Sequence, residues 1–319
     1  MAKALTPRSS HKVVGLWGCI LAVALWAFKP SLIALTPSSV GFAEVYLISG
    51  GIAVIAGLPF LLKWGLASRH AFSWRVISQI AVSGACLGMW YYGFYRALKE
   101  APVMEASIIG FSWVLIAAIV MPYLGPKDIR KMSLAQWGLM VVAFLGVALV
   151  TKSGSEAGDG EFSELLWAGI AAVGSGLYLP FAVRATRALE KSVSALKATT
   201  LVITGANIAS LIGVGTVLLV TNAHLNFTAI TPHTFLICAV IGVGIYVLAE
   251  VFWTWGYSQA NSQAVGIMPY AVPAISSLLL VVLFGEQFTM LLLLGMGLIV
   301  AANILMQLVA RKPIDTYHD

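Results

Sequence analysis

TFLICAVIGVGIYVLAEVFWTWGYS, residues 234–258, runs for twenty-five positions with a single charge, Glu250. A helix needs about 20 apolar residues to cross a hydrocarbon core about 30 Å thick. The stretch does not alternate apolar and polar side chains over about ten residues, as a strand of a transmembrane barrel would. It reads as a membrane-spanning helix, and the rest of the chain agrees. Of 319 residues, 60% are apolar or aromatic and only 10% are charged; mean hydropathy is +0.91. A soluble domain carries roughly 25% charged residues, so this chain lacks the polar side chains to cover a water-facing surface. The expected class is an all-α integral membrane protein.

Hydropathy places ten spans near 13–35, 42–62, 73–97, 101–123, 134–151, 165–186, 196–220, 233–258, 261–284 and 288–310. The first is too long for a signal peptide and holds Lys29 and Pro30. Cys19, Cys86 and Cys238 all fall in apolar stretches, which indicates neither a disulfide framework nor a zinc site. With the N-terminus inside, fifteen Lys and Arg fall in cytoplasmic segments. Only Arg96, Lys99 and Lys152 fall outside, and Lys29 alone sits within a span. By the positive-inside rule this asymmetry predicts ten helices with both termini cytoplasmic, in a multi-pass protein of the inner membrane.

The two halves match in order. Trp17, Phe28 and Pro30 recur as Trp167, Tyr178 and Pro180, and Leu47-Ile48-Ser49-Gly50 recurs as Val202-Ile203-Thr204-Gly205. Trp90, Gly93 and Ala97 recur as Trp253, Gly256 and Ala260; Ala106, Ile108 and Gly138 recur as Val265, Ile267 and Gly297. Five helices per repeat is an odd number, so the second repeat enters from the opposite side. The expected organisation is a first repeat over 13–151, a polar linker over 152–164 and a second repeat over 165–310. Inverted repeats of this kind belong to alternating-access transporters, with the site near the midplane.

The ending of the second half, Pro273, then Val282-Leu283-Phe284-Gly285-Glu286-Gln287-Phe288-Thr289, then Gly295 and Gly297, resembles the EamA family of the drug/metabolite transporter superfamily. In the first half Val114 replaces the proline, and Gly125-Pro126-Lys127-Asp128 replaces Gly-Glu. Within that superfamily the chain is similar to the bacterial aromatic amino acid exporters. Glu105 with Trp113, and Tyr46 with Ser49 and Gly50, match their motifs; Gly110-Phe111 stands where they carry Asn-Tyr. The resemblance implies a secondary-active or facilitative exporter of small organic solutes, above all aromatic or large apolar amino acids. It also implies a central cavity between the halves. A transporter of another metabolite or drug, such as a nucleoside, sugar derivative or cation, is the alternative. Protons are a candidate coupling ion, the assembly is a monomer or homodimer, and neither cofactor, metal nor nucleic acid is implied.

Ionisable groups inside spans cost about 2.5–3.5 kcal/mol each on insertion scales and are functional candidates by default. Lys29 reads either as a partner of Glu44, as a lysine reaching outward to the interface, or as an anchor for a substrate carboxylate. Glu250 reads as a neutral acid hydrogen-bonded to a neighbouring helix, or as a group for amine binding or proton coupling. Counting residues from the span ends puts Lys29 near the outside and Glu250 near the inside, too far apart to grip one zwitterion. That places Lys29 at an outer gate. The expected central contacts are then Glu250 or backbone freed at breaks in the helices at Pro30 and Pro180.

The aromatic candidates for the cavity are Trp26, Tyr92, Trp113, Tyr178, Tyr246, Trp253 and Tyr270. Glu44, Glu105 and Glu286 are expected at gates or in structural roles, Glu105 paired with Arg96 or Lys99 and Glu286 capping the last helix. Glycines at 84 and 88, 174 and 176, and 242 and 244 suit close helix packing. A membrane enzyme is the rival from another class. It is opposed by the placement of all five histidines in loops or termini and by the absence of H-E-x-x-H and G-x-S-x-G motifs. A channel would need a polar ring that the spans do not offer.

Overall fold

A computed structural model describes residues 7–127, 132–156, 162–260, 268–269 and 271–310. The described residues contain no strand. The helices in chain order are α1 Pro7–Ala34, α2 Phe42–Phe60, α3 Trp74–Glu100, α4 Val103–Phe111, α5 Trp113–Leu124 and α6 Leu134–Glu156. They continue as α7 Phe162–Leu189, α8 Ala195–Val220, α9 Pro232–Ala239, α10 Glu250–Ala260, α11 Ala271–Phe284 and α12 Met290–Ala310. Wider π-helical stretches extend α2 over Leu61–Gly65 and join α9 to α10 over Val240–Ala249. Among the described residues, seven helical stretches are long and apolar enough to cross a membrane. α11 and the Met290–Met306 part of α12 are apolar but shorter.

Local chemistry sets the boundaries. Ser73 Oγ accepts from Val76 N–H at 3.4 Å to cap α3, and Thr231 Oγ1 accepts from Thr234 N–H at 3.2 Å ahead of Pro232 to start α9. The last helix is capped by Thr289, whose Oγ1 accepts from Leu292 N–H at 3.1 Å. Glu286 lies exposed in the non-helical segment before it, so the cap expected of Glu286 belongs to Thr289. The linker read over 152–164 is also shorter than expected. α6 runs to Glu156 and α7 starts at Phe162, while 157–161 lie outside the described residues.

Pro30 and Pro180 sit inside α1 and α7 without ending them. The interruption in this part of the chain falls at Ser112 instead, where the chain tightens. Ser112 N–H donates to Ile109 O at 3.0 Å and its hydroxyl to the same oxygen at 2.6 Å, separating α4 from α5. A side-chain bond to a nearby carbonyl offers the backbone this alternative to the helical ladder.

Packing pairs the elements reciprocally. Exchange α1 with α7, α2 with α8, α3 with the Pro232–Ala260 segment, α4–α5 with α11, and α6 with α12. The α3–α7 contact then maps onto α1–α10, α5–α7 onto α1–α11, and α3–α8 onto α2 with the π-helical stretch. The contacts α2–α8 and α6–α12 map onto themselves. A methyl added at Gly146 would lie 2.6 Å from Gly295 O, and one at Gly295 would lie 2.6 Å from Gly146 O. Glycine allows these backbones to touch, which is how membrane helices gain dispersion contact without a hydrophobic driving force between them. Cys19, Cys86 and Cys238 are buried free thiols in this packing.

Candidate functional site

The faces that α1, α3 and α7 turn inward meet around one small cavity. Trp26 and Lys29, and likewise Ser175 and Tyr178, lie three residues apart and so share a helix face. Trp90 and Tyr91 come from α3, while Phe111 and Trp113 flank the Ser112 interruption. The opposite wall is Ile245 and Tyr246 of the π-helical stretch with Glu250 and Trp253 of α10. Pro269 and Val272 close it on the α11 side.

Lys29 is 3% exposed. Its Nζ lies 4.8 Å from the ring centroid of Trp90, 4.7 Å from Tyr91, 5.0 Å from Phe94, 5.3 Å from Tyr95 and 5.2 Å from Tyr246. Each such contact attracts a cation by about 0.5–2 kcal/mol, so the rings replace part of the lost hydration. Among the described residues Lys29 has no hydrogen bond and no ion pair; the Lys29–Glu44 pairing does not form. Glu44 instead accepts from Asn226 N–H at 2.6 Å.

Glu250 lies in the same cavity wall as Trp26. It makes no direct ion pair with Lys29, their nearest N–O approach exceeding 4.0 Å. The depths counted from the span ends are therefore corrected. Lys29 and Glu250 face one chamber rather than opposite halves of a path.

A hydrogen-bonded tyrosine group backs the chamber. Tyr246 stacks on Tyr91 at 4.0 Å, its hydroxyl donates to Tyr95 Oη at 2.6 Å, and Tyr46 shares a 2.8 Å bond with Ser210. Asn207 Nδ2 donates to Tyr246 O at 3.4 Å, tying α8 to the π-helical stretch. Rings locked at both the face and the hydroxyl leave the cavity walls few rotamers.

Seven of the expected site residues therefore meet in one place: Trp26, Lys29, Trp113, Tyr178, Tyr246, Glu250 and Trp253. Tyr92 does not line the cavity; it packs edge-on against Phe42 at 5.1 Å and against Trp167 at 5.6 Å. Tyr270 lies outside the described residues. Glu105 is buried, but its neighbour is Ser153, whose hydroxyl donates at 3.4 Å. Arg96 pairs with Glu100 at 2.7 Å, and Lys99 donates to Thr36 O and Pro37 O at 3.0 and 3.1 Å, so neither serves Glu105. Trp90, Tyr91, Phe111 and Ser175 complete the wall and were not among the expected residues. The sequence signal for Trp90 is its match to Trp253, and that for Phe111 is its place where the similar exporters carry Asn-Tyr.

The chamber has a water-accessible volume of about 60 Å³. Ligand pockets typically run to about 300–1,000 Å³, so this one is too small as it stands for a ring-bearing solute, which requires it to widen. A second hollow of about 530 Å³ lies near the ends of α1 and α3, lined in part by Thr36, Lys99, Glu100 and Glu286. Tyr91 in the chamber and Leu98 in the hollow are two turns apart on α3, about 10 Å at 1.5 Å per residue. Phe94 and Tyr95, both fully buried, fill that interval.

No family model matches the chain. Over 315 residues it is 26% identical to the aromatic amino acid exporter YddG of Ancylobacter novellus, covering 96% of this chain and 99% of the relative. A solved crystal structure of a protein superposes with a TM-score of 0.62 at 20% identity. That superposition covers 96% of this chain and 100% of the other, and shows a shared fold.

Proposed function

We propose that the chain is a secondary-active or facilitative transporter that exports amino acids with aromatic or large apolar side chains by alternating access. The observation that carries this reading is the small chamber, where aromatic walls hold one buried ammonium and one half-buried carboxylate. Such a chamber offers stacking faces to a ring and both charges to an amino acid backbone. Similarity to an exporter of that substrate class along almost the full length of both chains supports it.

The same reading assigns the chain to the drug/metabolite transporters of EamA type, with ten spans in two inverted repeats over 13–151 and 165–310. The reciprocal packing of α1 with α7, α3 with the Pro232–Ala260 segment and α6 with α12 supports the repeats. The charge asymmetry puts both termini in the cytoplasm and the Lys99 hollow outside, as the vestibule reached when Phe94 and Tyr95 part. Reporter fusions at Lys152 and at Arg311 are expected to report opposite sides of the inner membrane. The same side for both would overturn the topology.

Purified protein in liposomes preloaded with an aromatic amino acid should accumulate the radiolabelled form by counterflow. The rate should saturate and stay well above that of empty liposomes. Linear, unsaturable uptake would point to a channel, and none at all would remove the amino acid reading.

A further inference from the structure

We propose that Lys29 and Glu250 are the two poles of one zwitterion subsite, Lys29 taking the substrate's α-carboxylate and Glu250 its α-ammonium. The chamber then admits neutral zwitterions and rejects an amine or an acid bearing the same ring. This assignment rests on the reading of the chain as an amino acid exporter and names which residue holds each end of the substrate.

The polarity follows from how the two groups are spent. Lys29 Nζ sits over five ring faces between 4.7 and 5.3 Å away, and a ring face takes up charge without consuming a conventional N–H donor. An ammonium has three donors, and among the described residues none of them meets an acceptor. The ring cage is already filled by Lys29 itself, so a substrate ammonium cannot use it and must go to the acid. Glu250 offers an ammonium two oxygens with about four acceptor sites.

Separation of the two charges makes this a subsite rather than a structural pair. Direct pairing would neutralise the chamber and close it to a charged ligand. Instead Lys29 and Glu250 share one wall without contact closer than 4.0 Å. The space of about 60 Å³ suits about two waters at roughly 30 Å³ each. A zwitterion displaces that water and brings a carboxylate and an ammonium on one carbon, so both charges of the chamber are matched at once. An amine would leave Lys29 unmatched and add a like charge, and an acid would do the same to Glu250, at the high cost such charges carry in a low-dielectric site. Trp253 and Tyr178 remain for the side chain.

Binding of three probes to the purified full-length protein tests this: L-tryptophan, tryptamine and indole-3-propionate. Wild type should prefer tryptophan over each of the others on the order of 10- to 100-fold, the worth of one charged hydrogen bond. Lys29→Met should abolish the preference over tryptamine and keep that over indole-3-propionate. Glu250→Gln should do the reverse. Each readout is a ratio within one variant, so a reduced folded fraction cancels. Equal proportional loss of all three probes in both variants overturns the subsite while leaving the exporter reading in place. So does a wild type that binds tryptamine as tightly as tryptophan. A wild type that binds none of the three and shows no counterflow overturns the exporter reading, and this assignment with it.

Discussion

Gly93→Val and Gly256→Val are each expected to lower the melting temperature and the recovery of folded, monodisperse protein sharply, whereas Gly169→Ala and Gly213→Ala leave both unchanged. A Cβ on Gly93 would lie 2.7 Å from Trp167 O and 3.2 Å from Ala171 N. A Cβ on Gly256 would lie 2.6 Å from Gly15 O and 3.0 Å from Cys19 N. These neighbours are helix backbone, which cannot rotate aside as a side chain tip would. Relief requires α3 to move off α7, or α10 off α1, and both contacts hold chamber walls in register. Overpacking a well-filled interior costs about 1–3 kcal/mol, occasionally more, against a total stability of roughly 5–15 kcal/mol. By contrast, a Cβ at Gly169 or Gly213 meets nothing within 4 Å, and alanine is the better helix former. Size-exclusion profiles and melting temperatures check the contrast. A Gly93→Val protein that melts with Gly213→Ala would show that the helices are farther apart than the structure has them.

The same two contacts bear on the repeat proposed from the sequence. Gly93 and Gly256, paired in the proposed repeat, both lie against helix backbone, where small residues allow close approach. Their partners place Gly15 opposite Trp167 and Cys19 opposite Ala171. The local register implied is therefore 152 rather than the 150 that the two prolines suggested. With that register Trp26, not Phe28, corresponds to Tyr178; Phe28 is 44% exposed while both of the others line the chamber. Pro30 and Pro180 misled because a proline in a long helix need not sit on the face that touches the partner.

Other misses have similarly local causes. Tyr91 and Tyr92 are adjacent, about 100° apart on a helix of 3.6 residues per turn, so only one faces the chamber. Tyrosine carries an apolar ring and a polar tip and suits either face, so residue type does not choose between them. Arg96 pairs with Glu100 rather than Glu105, because an acid four residues on is the nearer partner on any helix. Depth counting failed for Lys29 and Glu250 because it assumes upright spans that start at their first apolar residue. α1 has 28 residues, about 42 Å at 1.5 Å each, longer than a hydrocarbon core of about 30 Å. Residue type is legible where depth is not: most of the aromatic side chains, the lysine and the acid that the sequence singles out line one cavity.

Trp253→Ala is expected to reduce counterflow of aromatic amino acids on the order of 10- to 100-fold while leaving the protein folded, and Tyr178→Ala to act in the same direction. Trp253 lies 5.4 Å from Trp26, with the ring planes tilted by 49°, so the two indoles form one corner of the chamber. An aromatic ligand side chain buries about 150–250 Å². If one wall supplies about a third of that contact, its removal costs roughly 1–2 kcal/mol at about 25 cal/mol per Å², which is about tenfold in affinity. Any loss of ring alignment in the open-to-closed transition multiplies that. Stability suffers less, because Trp253 is only partly buried and its backbone carbonyl, the acceptor for Cys19 Sγ at 3.8 Å, survives the substitution. Trp253→Phe keeps a ring face and should recover most of the rate. The separating measurement is the melting temperature of each variant taken with its counterflow rate. Loss of both together would mean that Trp253 holds α10 against α1 rather than the substrate. A wild-type rate in Trp253→Ala would remove this chamber as the transport site altogether.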